Sequence, residues 1–372
     1  MFLELNSTLR ILFALAVAFA AAFAMTPQVK KFAESVGAVD MPSARRINDH
    51  PVPRMGGIAI FCGFVLAMLL FVDMTQQVKG ILIGTIIIAV MGGLDDMFDL
   101  NPWVKLFGQF AAAMVCIGCG VVLNGFTNFS SGADTIFLGD AFSIILTVIW
   151  IVGCTNAINL IDGLDGLAVG MSSISATTLL IISLSVSDPN VSVILACLIG
   201  ACLGFWPYNR NPAKIFMGDV GSQMLGFVLA SVSVIGLFKM HALVTMLIPF
   251  MAMAVPLADT GFAFCRRILR GQSPFHADKG HFHHRLLAMG LSQKQAVTVL
   301  YSISIVLGIF AYLMVGETRL IKIICLAVAF VIVFCIVIFV LKIYPSLRYS
   351  KNHESVVLDD DVKIYEKGNR KE

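Results

Sequence analysis

The sequence predicts an all-α polytopic membrane protein of about eleven transmembrane helices, with a polar cleft on its cytoplasmic face. Three observations predict it. Of 372 residues, 58% are hydrophobic and only 13% charged, far less polar surface than a soluble domain of this length carries. The mean hydropathy is +0.89, and apolar runs of roughly 17–22 residues, enough to cross a hydrocarbon core as helix, recur from end to end. Polar, glycine-bearing motifs punctuate those runs, and all of them fall in connections on one side.

The spans are expected near 10–26, 56–72, 80–94, 104–124, 141–160, 171–186, 191–207, 222–238, 242–261, 297–315 and 320–342. The first contains ILFALAVAFAAAFA, which could pass for a cleavable leader. Its basic residues (Lys30, Lys31, Arg45, Arg46) follow it, so it is read as a retained span with its N-terminus outside. The second span begins at the PRMGG element (53–57), the third ends in GLDDMFD (93–99), and the fourth leads into NGFTNFSSGADTIFLGD (124–140), a loop with no basic residue. The fifth ends in NLIDGLDG (159–166), the eighth is preceded by FMGDVGS (216–222), the ninth ends in PLAD, and HADKGHFHHR (276–285) precedes the tenth. Alternate connections carry 21 and 5 Lys or Arg residues; the basic set should face the cytoplasm. All five polar motifs belong to that set. Residues 1–345 therefore read as one membrane-embedded catalytic domain, and 346–372 as a charged cytoplasmic tail.

A net charge of +3 gives no reason to expect a nucleic-acid partner. Nine cysteines, an odd number lying mostly inside apolar runs, argue against a disulfide framework. Cys116-Ile-Gly-Cys119 has redox spacing but reads better as buried small hydrophobes.

The motifs carry the chemistry. An aspartate at the centre of a spanning helix costs roughly 2.5–3.5 kcal/mol on insertion scales, so several at one depth imply a wet cavity. In NAINLIDGLDGLAVG (156–170), Asn156, Asn159, Asp162 and Asp165 recur every third residue. That makes a slowly rotating polar stripe, which Gly163 and Gly166 would allow to open. Asp95 and Asp96 end the third span and repel each other unless a cation is near, so either is a candidate base. Asp219 lies between two glycines at the mouth of the eighth. Carboxylates without thiolates suit Mg²⁺, with Mn²⁺ as a substitute, shared with substrate phosphates. His276, His281, His283 and His284, flanked by Lys279 and Arg285, are too crowded for an obvious tetrahedral zinc site. They suit holding a pyrophosphate or neutralising developing charge. A secondary transporter also has broken helices and buried acids, but this chain shows no inverted repeat.

In their order between spans, GLDDMFD, NAINLIDGLDGLA, FMGDVGS and the HFHH loop resemble the polyprenyl-phosphate N-acetylhexosamine-1-phosphate transferase family, over roughly residues 27–290. The resemblance implies transfer of a sugar-1-phosphate from a UDP-sugar to undecaprenyl phosphate, releasing UMP, with Mg²⁺. Two branches compete: phospho-N-acetylmuramoyl-pentapeptide transferases of peptidoglycan synthesis, and GlcNAc-1-phosphate transferases that initiate teichoic acid, O-antigen or enterobacterial common antigen. Arg54 within HPVPRMGG and the interrupted HFHH, in place of three consecutive histidines, resemble the second. By the same resemblance Asp219 is the metal ligand, Phe216 stacks near the uracil, and Asp95 and Asp96 are the acids nearest the reacting phosphates. Arg54, Asn156, Asn159, Asp162 and Asp165 would line the substrate cleft, and His281, His283, His284 and Arg285 would engage the sugar-diphosphate. Asp259 is open to a supporting role or to plain helix capping. Related enzymes are often homodimers, and the implied location is the bacterial cytoplasmic membrane.

Overall fold

Polar residues that can close a first turn mark where several of the helices begin. The computed structural model describes residues 6–42, 50–123, 125–127, 135–137, 139–186, 189–236, 249–269 and 281–315, together with 324, 327, 328 and 331. Helix α1 (Ser7–Ser35) starts behind Asn6, whose side chain accepts from the Thr8 N–H at 3.1 Å. Helix α2 spans Gly57–Phe71, and α3 (Gln76–Phe98) is capped by Thr75. Helix α4 (Pro102–Gly118) has Asn101 as its cap and a proline in the first turn, where no N–H is needed. Next come α5 (Asp140–Ile161), α6 (Leu167–Val186), α7 (Pro189–Asn209), α8 (Gly218–Gly236), α9 (Ala254–Leu269) and the short α10 (Phe282–Ala288). Helix α11 (Gln293–Leu313) opens with a Ser292–Gln295 capping box. Two antiparallel pairs complete the described elements: β1 (Val39–Asp40) with β2 (Val52–Pro53), and β3 (Gly125–Thr127) with β4 (Thr135–Phe137).

The protein is an all-α, multi-pass membrane protein. Seven described helices are long and apolar enough to cross a membrane, and three shorter apolar ones, in α2, α4 and α9, accompany them. Of the ninth expected span, 242–248 lie outside the described residues; 249–252 are helical, and α9 (Ala254–Leu269) carries the helix past the expected end at 261. The charges beyond 261 end an apolar reading, whereas this helix continues through them and buries Arg267 as well as Asp259. The eleventh expected span, apart from its four isolated positions, and the tail lie outside the described residues.

Packing relies on small residues, as it must where lipid offers no hydrophobic drive between helices. Ala14, Ala18 and Ala22 form a fully buried stripe on α1, against which α2 and α7 lie at backbone distance. Helix α8 is buried along nearly its whole length between α3 and α5. Its start is clamped by two glycines. A Cβ on Gly57 would sit 2.0 Å from the Gly221 nitrogen, and one on Gly92 would sit 2.5 Å from the Val220 nitrogen. At the opposite end of the bundle, buried Arg10 donates to the Phe71 carbonyl (2.6 Å), Asp73 (2.8 Å) and Asn190 (2.6 Å). That staple ties α1, the α2–α3 turn and the start of α7 together.

Candidate functional site

The clamped start of α8 is where the polar motifs meet. Around it converge the C-terminal ends of α3, α5 and α7, strand β2, the 209–217 loop, and the first residues of α10 and α11. They enclose a cavity of about 600 Å³ lined by Arg54, Asp96, Asn159, Asp162, Asp165, Phe216, Asp219 and His284, among others. Eight predicted residues from five separate segments thus line one cavity.

The 156–170 stretch behaves as a helix that opens. Helix α5 ends at Ile161, Asp162 is its C-cap, and the chain turns through Gly166, whose φ is +77°. Gly163 serves differently: its φ is ordinary, and its missing side chain makes room for His283, since a Cβ there would lie 2.3 Å from Nε2. Along the stripe the polar groups diverge in role. Asn156 points away from the cavity and exchanges hydrogen bonds with Gln109, which donates to Gln223 at 2.9 Å. Asn159 donates to Ser222 Oγ at 2.9 Å, tying α5 to the first turn of α8. Asp162 faces the cavity; burial, then the carboxylates of Asp219, Asp96 and Asp165, push its pKa up to about 8. Asp165 accepts from Asn211 Nδ2 (2.9 Å) and the Ala213 N–H (3.0 Å), fixing the loop that leads to Phe216.

That loop is sewn to the PRMGG element. The Phe216 N–H donates to the Pro53 carbonyl (2.8 Å), and the Gly56 and Gly57 N–H groups donate to the Phe216 and Met217 carbonyls. Met55 turns the chain at φ +82°, a costly backbone for a residue with a side chain. Beside it Arg54 reaches Asp40 at 3.8 Å and Asp99 at 4.0 Å, and its buried Nε has no partner among the described residues.

The two adjacent acids of α3 have different jobs. Asp96 Oδ1 accepts the Asp219 N–H (3.0 Å) and its Oδ2 the Val220 N–H (3.3 Å), so one carboxylate closes the N-terminus of α8. Negative charge there also meets the positive end of the helix dipole. Gly218, at φ +71°, lets the chain pass beneath: a Cβ would sit 2.4 Å from Asp96 Oδ2. Asp95 is turned away from the cavity. It accepts from the Leu100 N–H (2.8 Å) and from Lys105 Nζ (2.9 Å), and the same ammonium lies 3.0 Å from Asp219 Oδ2. Gln223 adds a 2.8 Å bond to that oxygen.

The histidine motif also divides. His284 lines the cavity, whereas His281, His283 and Arg285 are buried behind it. Asp259 lies inside α9 and does not cap its end; one oxygen holds His281 Nδ1 at 3.0 Å, and the other accepts the Phe282 N–H that starts α10. His283 stacks on His281 with ring planes 6° apart. Its own burial, followed by the neighbouring His284, holds its pKa down to about 3, so the ring is neutral.

Sequence reasoning missed Lys105, Gln109, Asn209 and Gln223. A signal existed for the two glutamines. Gln109 follows Lys105 by four residues and Gln223 follows Asp219 by four, which places each pair on one helix face. Asn209 is nearly inaccessible, borders the cavity and donates to the Ile215 carbonyl, and its Oδ1 has no partner among the described residues. Among the described residues no three His, Cys, Asp or Glu side chains converge to cage a metal by themselves. Asp95 and Asp219 do converge on one cation, the Lys105 ammonium. That donor set fits an ion such as Mg²⁺, which takes one or two carboxylates and completes its shell with water and substrate oxygens.

The sequence has relatives among known proteins. The family model for glycosyl transferase family 4 matches residues 78–237, the stretch that supplies Asp95 through Asp219. A Bacillus subtilis protein, probable undecaprenyl-phosphate N-acetylglucosaminyl 1-phosphate transferase, is 41% identical over 83% of this chain and 86% of its own length. A decaprenyl-phosphate N-acetylglucosaminephosphotransferase of Mycobacterium tuberculosis is 36% identical over 74% and 75%. A phospho-N-acetylmuramoyl-pentapeptide-transferase of Staphylococcus aureus is 30% identical over 80% and 96%.

Proposed function

The chain belongs to the polyprenyl-phosphate N-acetylhexosamine-1-phosphate transferases of glycosyl transferase family 4, and on that premise we propose that it transfers N-acetylglucosamine-1-phosphate from UDP-GlcNAc to undecaprenyl phosphate. An oxygen of the lipid phosphate forms a bond to the β-phosphorus of the donor, the bond between that phosphorus and the bridging oxygen breaks, and UMP leaves with the electron pair. The product, a sugar on undecaprenyl diphosphate, initiates a cell-surface polysaccharide. The reaction takes place at the cytoplasmic face of a bacterial cytoplasmic membrane, where soluble donor and lipid acceptor meet.

The observation that carries the reading is the cavity at the start of α8, whose lining brings the acids Asp96, Asp162 and Asp219 together with Arg54 and His284. Phosphoryl transfer asks the protein mainly for positioning and charge neutralisation. Asp219 and Asp95 would hold Mg²⁺, which would offset the charge of the diphosphate. Phe216 offers a flat face for the uracil, and Arg54 and His284 offer donors to phosphate and sugar. Asn159 and Asp162 line the nucleotide side. Behind them His281, His283 and Arg285 hold the wall in place. Greater identity to GlcNAc-type relatives than to the muramoyl-pentapeptide relative, together with Arg54 and HFHH, favours GlcNAc as the sugar.

The test is UMP release by the purified chain in detergent. UDP-GlcNAc, undecaprenyl phosphate and Mg²⁺ are each omitted in turn, with UDP-MurNAc-pentapeptide in a parallel arm. Release that needs all three components supports the reading. Release with the muramoyl donor alone overturns the sugar, and release with neither donor overturns the reaction.

A further inference from the structure

We propose that Lys105 is an internal counterion that competes with the divalent cation, so that the cation and the nucleotide diphosphate bind cooperatively instead of independently. The inference rests on the metal and donor reading given above. Its structural basis is the position of one ammonium between two carboxylates, 2.9 Å from Asp95 and 3.0 Å from Asp219.

Charge bookkeeping gives the mechanism. With Lys105 in place the two carboxylates and the ammonium sum to a single negative charge, a poor match for a divalent ion arriving alone. A diphosphate brings several negative charges of its own, enough to take both cations. Asp219 lines the cavity and touches the ammonium, so a bound diphosphate would offer Lys105 a further anionic partner close by, and the carboxylates would then be open to the metal. The carboxylates do not depend on the lysine for their placement. Asp95 is held by the Leu100 N–H at 2.8 Å and Asp219 by Gln223 at 2.8 Å, while Asp96 separately closes the first turn of α8. Removing the ammonium should therefore leave an organised, doubly charged pair.

Mn²⁺ binding to the full chain in detergent, read by electron paramagnetic resonance with and without UDP and corrected for Mn²⁺–UDP in solution, tests this apart from turnover. In the wild type, UDP should tighten Mn²⁺ binding by about tenfold or more, within the usual range of coupling between sites. In Lys105→Met, Mn²⁺ alone should bind about tenfold tighter than to the wild type, with most of the coupling gone, while Lys105→Arg keeps the wild-type pattern. Unchanged or weaker Mn²⁺ binding by Lys105→Met without UDP overturns the proposal and leaves the metal site standing. Should that variant not fold, the wild type decides: no effect of UDP on Mn²⁺ affinity overturns it equally. If the wild type binds no Mn²⁺ even with UDP, the metal reading itself fails and the proposal falls with it.

Discussion

Asp96→Asn separates two ways in which an acid beside a reaction centre can matter. Asp96 is 3% exposed, and its two oxygens receive the N–H groups of Asp219 at 3.0 Å and Val220 at 3.3 Å. Asparagine keeps one acceptor and turns the other into an NH₂ that faces a backbone donor. A hydrogen bond to a charged group contributes about 1.5–3 kcal/mol, and a buried donor left unmatched costs about 1–3 kcal/mol. Because the longer bond is the weaker and the two costs overlap, the net loss is about 2–4 kcal/mol at the first turn of α8. Asp219 rides on that turn. A displacement of about 1 Å at such a site lowers turnover roughly 100-fold. The expected result is a lower melting temperature in detergent together with weak but measurable UMP release. An unchanged melting temperature with no release at all would refute the argument, because it would mean that Asp96 acts on the reacting phosphates and not through α8.

Asp162→Asn and Asp219→Asn should each abolish UMP release while the protein remains monodisperse in detergent; near-normal turnover in both would sink the site assignment. Gly163→Ala should cost about 1–3 kcal/mol by overpacking, since its Cβ falls 2.3 Å from the buried His283 ring, and a melting temperature equal to that of the wild type would contradict this. His283 has a folded pKa of about 3 against 6.5 for the free ring. The unfolded chain therefore takes up the proton first as pH falls. Stability from this group is complete above pH 6.5 and erodes toward 3 at up to about 1.4 kcal/mol per pH unit. His283→Gln should flatten that part of the pH–stability curve, and an unchanged slope would assign it elsewhere. Arg10→Met should lower thermal stability and leave the KM for the donor unchanged, because the staple it forms lies at the far end of the bundle.

The helices and the meeting of the motifs were legible in the sequence for a physical reason. In lipid every backbone group must be satisfied within the helix, so apolar runs declare their own boundaries and irregular polar backbone survives only at a wet cavity. Hence Arg54, Asp96, Asp162, Asp219 and His284, scattered over more than two hundred residues, could be assigned to one site before any coordinates. The end of α5 at Ile161 was equally readable from NAINLIDGLDG. The far end of the ninth helix was less so, because a buried charge such as Arg267 looks like a boundary to a reading based on hydropathy.

What periodicity cannot supply is the partner of each polar group. The sequence by itself determined which segments gather at the cleft. Only the tertiary structure decided that Asp96 caps a helix 123 positions further along the chain, that Lys105 lies between Asp95 and Asp219, and that Asn156 and His283 face inward. Those assignments follow from Gly57 and Gly92 pressing against the backbone of α8 and from Gly163 yielding room to a ring. Such contacts join segments far apart in the chain, where local spacing carries no information about which donor will find which acceptor.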